Sequence, residues 1–134
     1  MYKNILLYKN ILLIEDEKII AEMYADILRQ SGFTVTAESD GQRGYELARS
    51  GDYSLILLDL MLPSMSGLEV LKRLRNSKQS PNFTPDHHII VLTNLDEDDL
   101  TKKKIHKLAQ GYYLKVDITP HKLAEIIKDM KATK

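Results

Sequence analysis

Residues 55–67 read Leu-Ile-Leu-Leu-Asp-Leu-Met-Leu-Pro-Ser-Met-Ser-Gly. The four apolar residues that open this stretch show no polar alternation, as expected for a central parallel strand covered on both faces. The run ends abruptly at Asp59. Residues 67–76 then carry Leu68, Leu71 and Leu74 at helical spacing. A buried strand, an acid at its end and an amphipathic helix together make one βα unit.

The same unit recurs in both directions. Upstream, residues 11–14 are uniformly apolar, and a helix over 17–30 places Ile19, Ile20, Met23, Tyr24, Ile27 and Leu28 on its inner face. Gly32 sits where that helix would stop. Residues 33–38 alternate, with Val35 and Ala37 inward and Thr34 and Thr36 outward. A helix over 42–50 follows, closed by Gly51. Downstream, residues 77–87 hold Pro81 and Pro85 without an apolar period and read as the one long loop. Residues 89–92 make a fourth strand, 98–110 a fourth helix ended by Gly111, and 112–114 a fifth strand. Thr119 as N-cap and Pro120 at the first helical position open the last helix, whose inner stripe is Leu123, Ile126, Ile127 and Met130. Five βα units predict an α/β fold, a parallel sheet with helices on both faces. Such sheets gather their functional groups at the carboxyl ends of the strands.

Composition narrows the partners. Lys plus Arg and Asp plus Glu number 19 each, so the formal net charge is zero. A nucleic-acid or anionic-membrane partner demands concentrated basic surface, and neither direct nucleic-acid binding nor membrane insertion is expected. There is no cysteine, hence no disulfide framework or thiolate metal site. The apolar runs are too short to span a bilayer, and the start of the chain lacks a signal peptide's pattern. A cytoplasmic protein of one domain is expected.

The strand ends form a coherent set. The first strand ends in Glu15 and Asp16, the third in Asp59, the fourth in Thr93 and the fifth in Lys115. An acid after a strand is commonly just a helix cap. Three carboxylates on one rim, however, repel and raise one another's pKa unless a cation sits among them. A hard divalent ion with oxygen ligands is the natural occupant, and Mg²⁺ suits a few carboxylates plus waters and phosphate oxygens. Phosphoryl transfer onto a carboxylate needs an acceptor oxygen in line, a metal and further donors. Asp59, at the end of the most buried strand, is the expected acceptor. Lys115 would balance phosphoryl charge and the Thr93 hydroxyl would donate to it.

Residues 57–69 resemble the signature around the phosphoacceptor of response-regulator receiver domains. Residues 11–17 (ILLIEDE) resemble that family's acidic first loop, Val91-Leu92-Thr93 its switch hydroxyl, and Tyr112-Tyr113-Leu114-Lys115 its aromatic-plus-lysine strand. The resemblance spans about residues 10–131. It implies a flavodoxin-like, doubly wound five-stranded parallel sheet of order 2-1-3-4-5 with five helices. It implies Mg²⁺ bound by Asp16, Asp59 and the backbone carbonyl of Met61, with Glu15 acting through water, and Tyr112 changing rotamer with Thr93. It further implies a sensor histidine kinase or histidine phosphotransfer protein as phosphodonor. A downstream protein would bind the face made by the fourth helix, fifth strand and fifth helix, where a homodimer could also form. Two positions depart from the family: Glu15 replaces the usual aspartate, and Val116 replaces the proline that usually follows the lysine.

The expected function is a phosphoacceptor switch, not a turnover enzyme; the chain would catalyse only its own phosphorylation and dephosphorylation. An aspartyl-nucleophile phosphatase would carry a second acid two residues after the nucleophile, where this chain has Met61. A receiver that binds partners without phosphorylation remains the third reading. No sequence follows the last helix to make an output domain, so a stand-alone regulator or an excised domain is expected. His87, His88, His106 and His121 form no spaced ligand set, and Lys102, Lys103, Lys104 and Lys107 read as a solvated helix face. Residues 2–7 are repeated letter for letter as 8–13. Only the second copy runs into Glu15 and Asp16, so residues 1–7 are read as an extension and 8–134 as the receiver domain.

Overall fold

The computed structural model describes residues 10–130. Its centre is β3 (Leu55–Leu58), whose four side chains are all fully buried. β1 (Asn10–Ile14) and β4 (His88–Thr93) pair with it in parallel on either side. β2 (Thr34–Glu38) and β5 (Gly111–Leu114) form the edges, giving the strand order β2-β1-β3-β4-β5. The helices are α1 (Lys18–Gln30), α2 (Gly41–Ala48), α3 (Gly67–Arg75), α4 (Asp99–Leu108) and α5 (Pro120–Asp129). A parallel sheet with helices on both faces is what the residue pattern predicts, and the flavodoxin-like strand order is what the resemblance implies.

Successive strand residues point to opposite faces, and that alternation divides the core in two. Ile11, Leu13, Leu55, Leu57, Ile90 and Leu92 pack under α1 and α5, against Tyr24, Leu28, Leu123 and Ile127. Leu12, Ile14, Ile56, Leu58, Ile89 and Val91 pack under α2, α3 and α4, against Tyr45, Val70, Leu71, Leu74 and Ile105. Each fully buried Leu or Ile contributes roughly 1.5–3 kcal/mol. The central strands are thereby locked in register, and their ends fall on one rim.

Side-chain oxygens start four of the helices. Asp40 accepts from Arg43 N–H, Ser66 from Glu69 N–H, Asp98 from Thr101 N–H and Thr119 from Lys122 N–H. Lys115–Asp117 forms a short 3-10 turn between β5 and α5, and no peptide bond among the described residues is cis.

Several expectations need correction. On α1, Ile19 is 83% exposed and Met23 46%, while Ala21, Tyr24, Ala25 and Leu28 are buried. The apolar residues span two adjoining faces, and the one carrying small alanines lies on the sheet. Ala37 is exposed because the end of the edge strand β2 faces an open cleft beside the start of α1. Gly111 begins β5; α4 ends earlier, at Leu108. The 77–87 loop buries Phe83, and it is tied down where Tyr45 Oη donates to Gln79 O at 3.0 Å. Lys103, Lys104 and Lys107 are exposed as expected, whereas Lys102 pairs with Asp96 at 2.7 Å. The first copy of the repeat, residues 2–7, lies outside the described residues; β1 belongs to the second.

Candidate functional site

Asp59 is the first residue beyond β3, and its N–H donates to Ile14 O at 3.1 Å, extending the ladder by one step. The backbone thus holds the carboxylate at the rim, where it is 6% exposed. Three donors converge on it. Thr93 Oγ1 donates to Oδ1 at 2.6 Å, and Met61 N–H to the same oxygen at 3.1 Å. Lys115 Nζ donates to Oδ2 at 2.9 Å. Thr93 comes from the end of β4 and Lys115 from the residue after β5, so parallel register alone delivers both.

Glu15 and Asp16 follow β1 directly. Glu15 is 3% exposed; one oxygen accepts from Lys115 Nζ and the other from Glu17 N–H at 3.0 Å. That second bond satisfies an amide at the start of α1, where no side chain caps the helix. Burial pushes the Glu15 carboxyl above the usual carboxylate range, against the opposing pull of Lys115. For Lys115 burial acts downward, but hydrogen bonds and charge from Glu15 and Asp59 outweigh it and raise its pKa.

Asp16 is exposed, and Glu15, Asp16 and Asp59 each bring a carboxylate oxygen within 4.8 Å of the others. Three carboxylates against one ammonium leave a formal excess of two negative charges. A buried structural ion pair would account for Glu15, Lys115 and Asp59. It does not account for Asp16, which adds charge without a cationic partner in this cluster. All the donors are hard oxygens, a set that suits a hard divalent ion.

Backbone approach is tight around Asp59. A Cβ on Gly67 would lie 2.0 Å from Asp59 O, so the first residue of α3 must be glycine for the helix to start there. The chain belongs to the response regulator receiver domain family. The match covers residues 11–128, most of the chain.

Relatives agree with that assignment. The transcriptional regulatory protein HprR of Escherichia coli (strain K12) is 36% identical over 122 residues, covering 91% of this chain and 50% of that protein. Transcriptional regulatory protein SrrA of Staphylococcus aureus (strain NCTC 8325 / PS 47) is 35% identical over 122 residues, covering 91% of this chain and 46% of SrrA. The chain thus spans about half the length of these relatives. Among solved structures, the BeF3-activated N-terminal receiver domain of Klebsiella pneumoniae RstA superposes with a TM-score of 0.72 at 27% identity, covering 87% of this chain and 94% of that one. The CheY-like receiver domain protein of Methanospirillum hungatei JF-1 gives 0.72 at 27%, covering 91% and 92%.

In this receiver domain Glu15, Asp16, Asp59, Thr93 and Lys115 all meet at one rim, as their strand-end positions predict. Among the described residues, Tyr112 makes no hydrogen bond to that group. Its ring stacks on His106 with centroids 5.9 Å apart, and its hydroxyl donates to Leu95 O at 2.9 Å. The link sequence reasoning missed is Leu95, whose N–H donates to Thr93 Oγ1 at 3.1 Å. A backbone contact of this kind leaves no residue-type signal. Met61 lies two residues past Asp59 and is 59% exposed.

Proposed function

We propose that this domain is the phosphoacceptor switch of a two-component system or phosphorelay, with Asp59 as the acceptor. The convergence of Thr93, Met61 N–H and Lys115 on the two oxygens of Asp59 carries the reading. A catalyst of this reaction acts chiefly by positioning and charge stabilisation, and these groups supply both. Asp16, Asp59 and the Met61 backbone carbonyl would hold Mg²⁺, with Glu15 contributing through water. The ion would neutralise charge on the incoming phosphoryl group.

A carboxylate oxygen of Asp59 forms the new bond to phosphorus as the bond to the donor's leaving atom breaks. The leaving group departs with the electron pair. Lys115 and Thr93, which now hold the free carboxylate, turn to the phosphoryl oxygens. The donor is a sensor histidine kinase or a histidine phosphotransfer protein. The domain does no other turnover chemistry and works in the cytoplasm.

Output follows from a shift between two conformations that the phosphoryl group biases. The face made by α4, β5 and α5 would meet the downstream protein or a second copy, with Tyr112 changing rotamer at its edge. In HprR and SrrA the whole protein is a transcriptional regulator; a comparable output here would act through a partner segment or protein and not through DNA contacts of this domain. Incubation with Mg²⁺ and a small acyl phosphate, followed by intact mass, tests the reading. A phosphoryl mass gain that Asp59→Asn abolishes is expected; a gain that persists in the variant rules Asp59 out.

A further inference from the structure

The loop between Asp59 and α3 is gripped from one side by the start of α2. Ser64 is the only non-glycine among the described residues with a positive φ, at 64°. That region disfavours any residue with a side chain. Ser64 Oγ donates to Asp40 Oδ1 at 2.8 Å and accepts from Gln42 N–H at 3.1 Å. Next to it, Gly41 N–H donates to Pro63 O at 3.0 Å. Gly41 makes this approach possible, since a Cβ there would lie 1.9 Å from Met65 O.

Asp40 serves two elements at once. Its Oδ2 accepts from Arg43 N–H at 2.9 Å and caps α2, while Oδ1 takes the Ser64 hydroxyl. The other end of the loop reaches the reactive group, where Met61 N–H donates to Asp59 Oδ1. A disfavoured backbone conformation persists only where its surroundings over-determine it, and such residues cluster at functional sites. Here the surroundings are three hydrogen bonds from α2, and the loop they hold carries both the N–H and the carbonyl of Met61.

We propose that Asp40 and Ser64 are positioning residues for phosphoryl transfer: the start of α2 braces the acceptor loop so that Met61 faces Asp59 and its metal. The proposal rests on the functional reading above. Neither residue touches the reacting atoms. Without the brace, residue 64 is free to leave the left-handed region and the loop swings away from Asp59.

Ser64→Gly is the informative variant, because glycine accepts this φ without strain and the fold is not endangered. With Mg²⁺ and acetyl phosphate, its initial rate of mass gain should fall about three- to tenfold, the equivalent of a hydrogen bond. Its half-saturating Mg²⁺ concentration should rise, while its melting temperature without Mg²⁺ stays level or increases. Ser64→Asn tolerates a left-handed backbone and offers both a donor and an acceptor, so it should restore the rate. Hydrogen exchange at the Met61 amide, read by NMR, should be faster in Ser64→Gly and normal in Ser64→Asn. A Ser64→Gly protein that matches wild type in rate, or in Met61 exchange, overturns the brace. Wild type that takes up no phosphoryl group overturns the functional reading instead, and Met61 exchange then decides the brace by itself.

Discussion

Thr93 donates its hydroxyl proton to Oδ1 of Asp59 across 2.6 Å, and both side chains are buried. The same Thr93 oxygen accepts from Leu95 N–H at 3.1 Å, and Leu95 O accepts from the Tyr112 hydroxyl at 2.9 Å. Tyr112 also holds Glu97 N–H at 3.3 Å. One hydroxyl therefore ties Asp59 to the turn that seats the aromatic ring. A phosphoryl group that draws the Thr93 side chain toward itself pulls on that turn.

Thr93→Val tests this route, since it keeps the volume and deletes both bonds. Leu95 N–H loses its acceptor and Asp59 a donor, which should cost about 1–3 kcal/mol in a denaturant titration. More to the point, wild type should show backbone NMR shifts at Leu95 and Tyr112 on phosphorylation, and Thr93→Val should not. Coupling between the two places should amount to about 1–3 kcal/mol. Shifts confined to the Asp59 loop in wild type would refute the route.

Mg²⁺ should stabilise the fold as well as serve the reaction. The excess negative charge among Glu15, Asp16 and Asp59 is a standing repulsion that a bound ion removes. At 100 times its dissociation constant the gain is about 2.7 kcal/mol, visible as a higher melting temperature. Asp16→Asn should lose most of that gain, and without metal it should be slightly more stable than wild type, because one repelling charge is gone and solvent already screens the exposed Asp16. An unchanged melting temperature in several-millimolar Mg²⁺ would remove the metal site from the account.

Acid sensitivity should come from the opposite edge of the sheet. His88, at the start of β4, is 3% exposed, and burial holds its pKa below the ordinary value of 6.5. The unfolded chain thus takes up a proton more readily than the folded one. Stability is full above the unfolded value and is lost as pH falls through 6.5 toward the folded pKa. Denaturant midpoints between about pH 7.5 and about pH 5.5 should drop in wild type and flatten in His88→Leu. Parallel curves for the two proteins would assign the acid loss elsewhere.

Much of this molecule was legible in its sequence, for a definite physical reason. Strand ends are set by where apolar runs stop, and parallel register carries Glu15, Asp16, Asp59, Thr93 and Lys115 to one rim with no further information. The start of the last helix was legible too, through Thr119 and Pro120. What stayed hidden depends on contacts between backbones. Leu95 carries its part of the relay through its N–H and C=O, and Gly41 matters through an atom it lacks. The buried face of α1 was misread because size misled: Ala21 and Ala25 meet the sheet while the larger Ile19 and Met23 face out. Ala37 was placed inward by alternation, a rule that holds only where the edge strand is covered.

Lys115 offers the sharpest test of how charge is balanced at the rim. Its ammonium bridges Glu15 and Asp59 with all three side chains nearly buried. Lys115→Met keeps much of the packing but leaves two buried carboxylates without their cation. Breaking one side of a buried pair costs about 3–5 kcal/mol, so the metal-free variant should melt well below wild type. Burial already holds the Glu15 pKa above 4.5 despite Lys115, and loss of the ammonium raises it further. The folded variant then binds that proton more tightly than the unfolded chain. Its deficit should be full above the raised pKa and should shrink as pH falls through that pKa toward 4.5. Mg²⁺ addresses the same excess of charge, so it should stabilise Lys115→Met by more than it stabilises wild type. Phosphorylation should stay slow even at saturating Mg²⁺, because the ion cannot replace a donor aimed at the phosphoryl oxygens. Paired melting curves with and without Mg²⁺ decide the matter. An equal Mg²⁺ gain in both proteins would show that lysine and metal answer to different charges.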